Sequence, residues 1–182
     1  MEWMFMPLKR YAEFSGRSRR QEFWMFMLLL AIIWLVALVT IVVIAGSAMS
    51  MAGTSSDGTP RLGGMVGMFA SMGIIAIILG IVWLALLIPI IAVQVRRLHD
   101  TDRAGWWLFL YWGPYLLALA LSVGGAVNQS AGISGIGVIF SLVSWIGGIV
   151  LLVFWCLPGT SGPNRFGPDP LGGIGNLSQT FQ

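Results

Sequence analysis

"FWMFMLLLAIIWLVALVTIVVIA", residues 23 to 45, runs for twenty-three positions without an Asp, Glu, Lys, Arg or His. At 1.5 Å per residue, a helix of that length reaches about 34 Å, enough to cross a hydrocarbon core of about 30 Å. A backbone surrounded by lipid must satisfy its own hydrogen bonds. The run lacks the polar–apolar alternation of a barrel strand, so it reads as a transmembrane helix.

Three further runs have the same character: residues 74–95, 106–127 and 136–157. The last two lie in one uncharged stretch from 104 to 164, which is too long for a single span. Their separation rests on "NQSAGISG", residues 128 to 135, a polar and small-residue patch expected to form a hairpin turn. Apolar residues make up 57% of the 182, charged residues only 9%, and mean hydropathy is +0.87. A water-soluble core could not absorb so much apolar surface, which makes lipid the solvent for most of the chain. The first apolar run outlasts the h-region of a signal peptide and is expected to stay in the membrane.

The basic residues orient the bundle. Lys9, Arg10, Arg17, Arg19 and Arg20 precede the first span, Arg96, Arg97 and Arg103 follow the second, and Arg165 follows the fourth. Only Arg61 falls on the other side. By the positive-inside rule, both termini and the second loop face the cytoplasm, while residues 46–64 and 128–135 face outward. The expected fold is therefore an all-α, polytopic membrane protein with four transmembrane helices. It comprises an interfacial N-terminal segment (1–22), a four-helix domain (23–157) and a cytoplasmic Pro/Gly-rich tail (158–182).

The net charge of +3 and pI of 9.6 suit anionic lipid headgroups; nucleic acid is not expected. A single cysteine, Cys156, excludes an internal disulfide and is expected to be buried near a helix end; with one His it supplies no zinc set. Trp24, Trp106, Trp107 and Trp155 fall near the cytoplasmic ends, as in an aromatic belt. "SRRQ" at 18–21 has the capping-box pattern. "PLKRYAEF" at 7–14 reads either as a short interfacial helix opening at Pro7 or as an irregular N-terminus. Gly137, Ser141, Ser144 and Gly148 share one helical face, as do Gly73 and Gly80. Such faces serve packing within the bundle or between copies. Pro89 is expected to kink the second span.

Between the second and third spans lies "RRLHDTDRAGWW", residues 96 to 107, with six ionisable side chains in its first eight positions. Arg96, Arg97, His99, Asp100 and Arg103 are pinned at one leaflet with Arg17, Arg19, Arg20 and Glu22 from the first helix entrance. The tail "PGTSGPNRFGPDP", 158 to 170, cannot be helical and can fold back to bring Asn164 and Arg165 to the same place. Two readings compete for this cluster. Its arginines either grip a phosphate-bearing headgroup, held in place by Asp100 and Glu22, or tie helix ends together by ion pairs. His99 reads as a local hydrogen-bond partner of Asp100 ahead of a pH switch, Thr101 or Asp102 can cap the third helix, and Asp100 with Asp102 offers at most a weak divalent-ion site.

"FSGRSRRQEFW" at 14–24, together with the loop and tail motifs, resembles the bacterial inner-membrane proteins classed as domain of unknown function 805, the YhaH-like proteins. The resemblance covers residues 9 to 170. It rests on Gly16, Arg17, Arg20, Glu22, Trp24, Arg97, Leu98, His99, Asp100, Gly105, Trp106, Pro158, Gly159, Asn164 and Gly167. It implies a small multi-pass protein of the inner membrane and brings no activity, substrate or cofactor.

The chain contains no nucleophile with a paired base, no metal-ligand set and no P-loop, so no catalytic residue, metal or cofactor is expected. A non-enzymatic protein whose cytoplasmic face binds anionic phospholipid or a membrane protein partner ranks first, with homo-oligomerisation open. An enzyme acting on a phosphorylated lipid through His99 and Asp100 ranks second. A transporter or channel component ranks last, because no span carries an ionisable residue at mid-membrane.

Overall fold

The computed structural model describes residues 2–51 and 62–172; Arg61, the centre of the 46–64 loop and the tail beyond Gly172 lie outside the described residues. The described chain is helical: α1 (Glu2–Lys9), α2 (Arg20–Met51), α3 (Leu62–Asp100), a single 3₁₀ turn (Gly105–Leu108), α4 (Phe109–Val127) and α5 (Ala131–Cys156). Four stretches are long and apolar enough to cross a membrane: Arg20–Ser47, Phe69–Asp100, Gly105–Val127 and Ala131–Cys156. The protein is thus a multi-pass membrane protein. With four crossings, the N-terminal segment, the 101–104 loop and the tail share one end of the bundle, called the polar end below.

The four helices pair as two hairpins that differ in depth of contact. α4 and α5 pack along their length because small residues let the backbones approach. A Cβ on Gly147 would overlap the Leu110 carbonyl, one on Gly137 would press Ser122, and one on Gly125 would meet Ser134. Ser144 adds a hydrogen bond from Oγ to the Tyr111 carbonyl, 3.0 Å. The small-residue face at 137, 144 and 148 is therefore spent within the hairpin, and Gly147, absent from the stripe read in sequence, is its tightest point. A Cβ on Gly73 or Gly80 would meet no other segment within 4 Å.

α2 and α3 touch mainly near the polar end. Phe23, Phe26 and Leu30 of α2 form one stripe buried with Val93 of α3, and Trp155 of α5 packs against it. Leu98, Leu108 and Leu151 join α3, the 3₁₀ turn and α5 in a second cluster. Beyond Leu30 on α2 and before Pro89 on α3, no described residue is buried. The core therefore sits under the polar end, and the hairpins part below it.

Several local expectations are corrected. The N-terminal helix begins at Glu2 and ends at Lys9, inside the 7–14 stretch, with Pro7 buried within it rather than at its first position. In so short a helix, the lost amide removes at most one bond. The capping box does not form: the Ser18 amide donates to the Arg96 carbonyl, 3.1 Å, its Oγ has no hydrogen-bond partner, and α2 begins at Arg20. A tertiary bond to the end of α3 outcompetes the local one.

Neither Thr101 nor Asp102 caps the third span, which is entered through Ala104 without a side-chain cap. Thr101 Oγ1 instead donates back to the Leu98 carbonyl, and Asp102 takes the left-handed conformation, φ +55°, that an Asp tolerates in a tight turn. The hairpin turn is shorter than the 128–135 patch, because Ser130 caps α5 and helix resumes at Ala131. Cys156 is exposed rather than buried.

The Gly147 contact can be tested. Gly147→Val should destabilise the α4–α5 hairpin by about 1–3 kcal/mol through overpacking, measured by SDS-induced unfolding in mixed micelles. Gly80→Ala, with open space around it, should leave the midpoint unchanged.

Candidate functional site

The polar end is organised around the Asp100 carboxylate. Asp100 ends α3, where the helix dipole disfavours a negative charge and favours the Arg96 and Arg97 that precede it. Two guanidinium groups offset that cost. Arg17 Nε donates to Asp100 Oδ1 at 3.0 Å, and Arg97 Nη1 donates to Oδ2. All three side chains are buried, at 1%, 0% and 7% exposure for Arg17, Arg97 and Asp100.

The other two guanidinium nitrogens of each arginine bind main-chain carbonyls. Arg17 binds the Gly162 carbonyl at 2.6 Å and that of Thr160 at 2.5 Å. Arg97 binds the Trp155 carbonyl at 3.1 Å and that of Leu157, satisfying carbonyls left open at the end of α5.

The tail closes over this knot. The Thr160 amide donates to the Asp100 carbonyl, 2.8 Å. Gly159 lies against the Asp100 carboxylate, where a Cβ would overlap it. Asn164 Nδ2 reaches the His99 carbonyl at 2.9 Å and Thr160 Oγ1 at 3.0 Å, while residues 164 and 167 exchange two backbone bonds of 3.1 Å. Gly167 has φ +144°, a conformation suited to glycine. Asp169 accepts from the Leu171 and Gly162 amides, and these bonds hold its carboxyl below the usual carboxylate range.

His99 is stacked on Phe166, with ring centres 3.9 Å apart. Its Nδ1 faces the Gly16 carbonyl at 3.2 Å, so the proton sits on Nδ1. The expected His99–Asp100 side-chain pair is therefore replaced: Asp100 spends both oxygens on arginines and His99 turns to Gly16.

The other candidates disperse around the knot. Arg96 forms a second buried ion pair with Glu22, 3.2 Å. Arg103 lies over the Phe154 ring at 4.0 Å. Arg165 pairs with Asp102 in an exposed bridge of 3.1 Å. Arg19 reaches the Pro170 carbonyl and Arg20 that of Cys156 at 3.3 Å.

Beside the knot, a cleft of about 470 Å³ opens between the start of α2 and the tail, lined by Arg17, Arg19, Arg20, Gln21 and residues 158–161 and 169–171, with the Asp100 and Asp169 carboxylates also on its wall. Arg20 and Gln21 are exposed and Arg19 half-buried, so these side chains retain donors for a ligand. Sequence reasoning named Gly159 as a motif position without a role and missed Thr160, Phe166 and the carbonyls at 155, 157 and 162. Only the breaker-rich composition of the tail hinted at them.

A family model described as "Protein of unknown function (DUF805)" matches residues 11–168, which include the whole knot. The chain is 32% identical over 178 residues to inner membrane protein YhaI of Escherichia coli (strain K12), covering 93% of this chain and 96% of that protein. It is 35% identical over 170 residues to inner membrane protein YhaH of the same strain, covering 93% and 97%. No solved structure matches.

Asp100→Ala leaves two buried guanidinium groups facing each other and should cost about 3–5 kcal/mol in SDS-induced unfolding. Arg165→Ala, which breaks the exposed pair, should cost under about 1 kcal/mol in the same assay.

Proposed function

Because the chain belongs to the DUF805 family, with inner membrane proteins as relatives over nearly its whole length, we propose that it is a multi-pass inner-membrane protein whose polar end faces the cytoplasm and binds the headgroup of an anionic phospholipid. The carrying observation is the cleft between α2 and the tail. Arg17 and Arg97 bind Asp100 and backbone carbonyls through all three guanidinium nitrogens, so they hold the tail and helix ends in place. Arg19 and Arg20 each spend one nitrogen on a carbonyl and keep the rest of a planar fork that matches phosphate oxygens. Trp24, exposed one turn along α2 from Arg20, suits headgroup depth.

The orientation rests on Lys and Arg. Lys9, Arg10, Arg17, Arg19, Arg20, Arg96, Arg97, Arg103 and Arg165 gather at the polar end, against Arg61 in the loop between α2 and α3. Such an excess marks the cytoplasmic side.

Cys156, the single cysteine and exposed at the polar end, makes the orientation testable without engineering. A membrane-impermeant maleimide should leave it unlabelled in spheroplasts and label it after permeabilisation; labelling of intact spheroplasts overturns the orientation. Headgroup binding is read by native mass spectrometry of protein equilibrated with equal phosphatidylglycerol and phosphatidylcholine. The protein should retain phosphatidylglycerol preferentially. At about 1 kcal/mol per basic residue near the leaflet, Arg19→Gln with Arg20→Gln should cut that preference on the order of thirtyfold. Equal retention of the two lipids by the unmodified protein, or an unchanged preference in the variant, rejects the reading.

A further inference from the structure

On the far side of α3 from α2, the two hairpins leave a second opening, of about 640 Å³. Its first wall is a straight stripe of α3, Trp83, Leu87, Ile91 and Val95, spaced every fourth residue. Its second is Leu108, Trp112 and Leu116, at the same spacing on the 3₁₀ turn and α4. At the polar end the walls meet, since a Cβ on Gly105 would press Val95 at 3.2 Å. The stacked His99 and Phe166 rings lie beside that junction. From there α3 and α4 diverge into the membrane. Of the indole N–H groups on the walls, that of Trp112 is already engaged, Nε1 donating to Gln94 Oε1 at 3.4 Å.

We infer that this slot between α3 and α4 holds one acyl chain of a membrane phospholipid. Both walls belong to membrane-crossing stretches, so what fills the slot comes from the hydrocarbon or is another helix. Shape decides between them. Trp83 to Val95 spans about 18 Å of helix, close to the roughly 15 Å depth of one leaflet. A helix that crosses the bilayer would need a groove of about 30 Å, well beyond the length of these walls. A single extended chain fits such a slot and a helix does not. The slot is walled by α3 and α4 and shares no arginine with the headgroup cleft, so occupancy of one does not require the other.

The experiment uses the full chain reconstituted in phosphatidylglycerol vesicles containing a trace of the same lipid with a diazirine on its acyl chain. After photolysis, mass spectrometry should place the label preferentially on residues 83–95 and 108–116. Leu87→Trp with Ile91→Trp fills the slot from one wall and should reduce that labelling roughly tenfold. Leu116→Trp fills it from the other wall and should do the same, so a folding failure of one variant leaves the other to decide. Arg19→Gln with Arg20→Gln should leave the slot label unchanged, which separates this inference from the headgroup reading. Label spread evenly over the lipid-facing sides of α2 and α5, labelling unchanged in a filled variant, or a covalent dimer joined through α3 and α4 overturns it.

Discussion

A single carboxylate holds the polar end together. Asp100 closes α3 and sits between Arg17, which leads into α2, and Arg97, which reaches the end of α5. Burying three charges is costly, and the cost is offset only when nearly every donor and acceptor finds a partner. Here the donors left over by the carboxylate go to main-chain carbonyls of residues 155, 157, 160 and 162. The tail is therefore part of the fold: without the Thr160 and Gly162 carbonyls the buried Arg17 would lose two of its three hydrogen bonds.

A clasp at one end suits the solvent. Between helices in lipid there is no hydrophobic drive, so association comes from close packing and hydrogen bonds. α4 and α5 use close packing, through glycines set against the facing backbone. The outer parts of α2 and α3 do not do so: Gly73 and Gly80 of α3 face open space, and no described residue is buried beyond Leu30 or before Pro89. These helices are held instead by the stripe of Phe23, Phe26 and Leu30 and by the charged knot above it. Helices clasped at one end and free to diverge at the other create the opening beside α3.

The knot also sorts the arginines by use. Arg17 and Arg97 bond through all three nitrogens and position the chain, whereas Arg19 and Arg20 line an open cleft and each use one nitrogen on a carbonyl. The tie between helix ends and the grip on a headgroup, which compete when read from sequence, apply to different members of one cluster. The same arrangement explains why His99 and Asp100, adjacent in sequence, act apart: one belongs to the stack on Phe166, the other to the arginines.

Hydrophobic length and the absence of charge identified the four spans and the parity of the termini, because lipid imposes those conditions residue by residue. The crowding of Arg, His and Asp in 96–103 and the breakers in 158–170 also showed which segments meet, since their two ends are pinned at one leaflet. Partnership was another matter. The Ser18 cap, the Asp102 cap and the His99–Asp100 pair were all reasonable local bonds, and each lost to a contact with a residue far along the chain: Arg96, Arg165 and Gly16 in turn. Which donor meets which acceptor at a crowded, largely buried helix end depends on the relative placement of segments more than sixty residues apart, and only the assembled tertiary structure sets that distance.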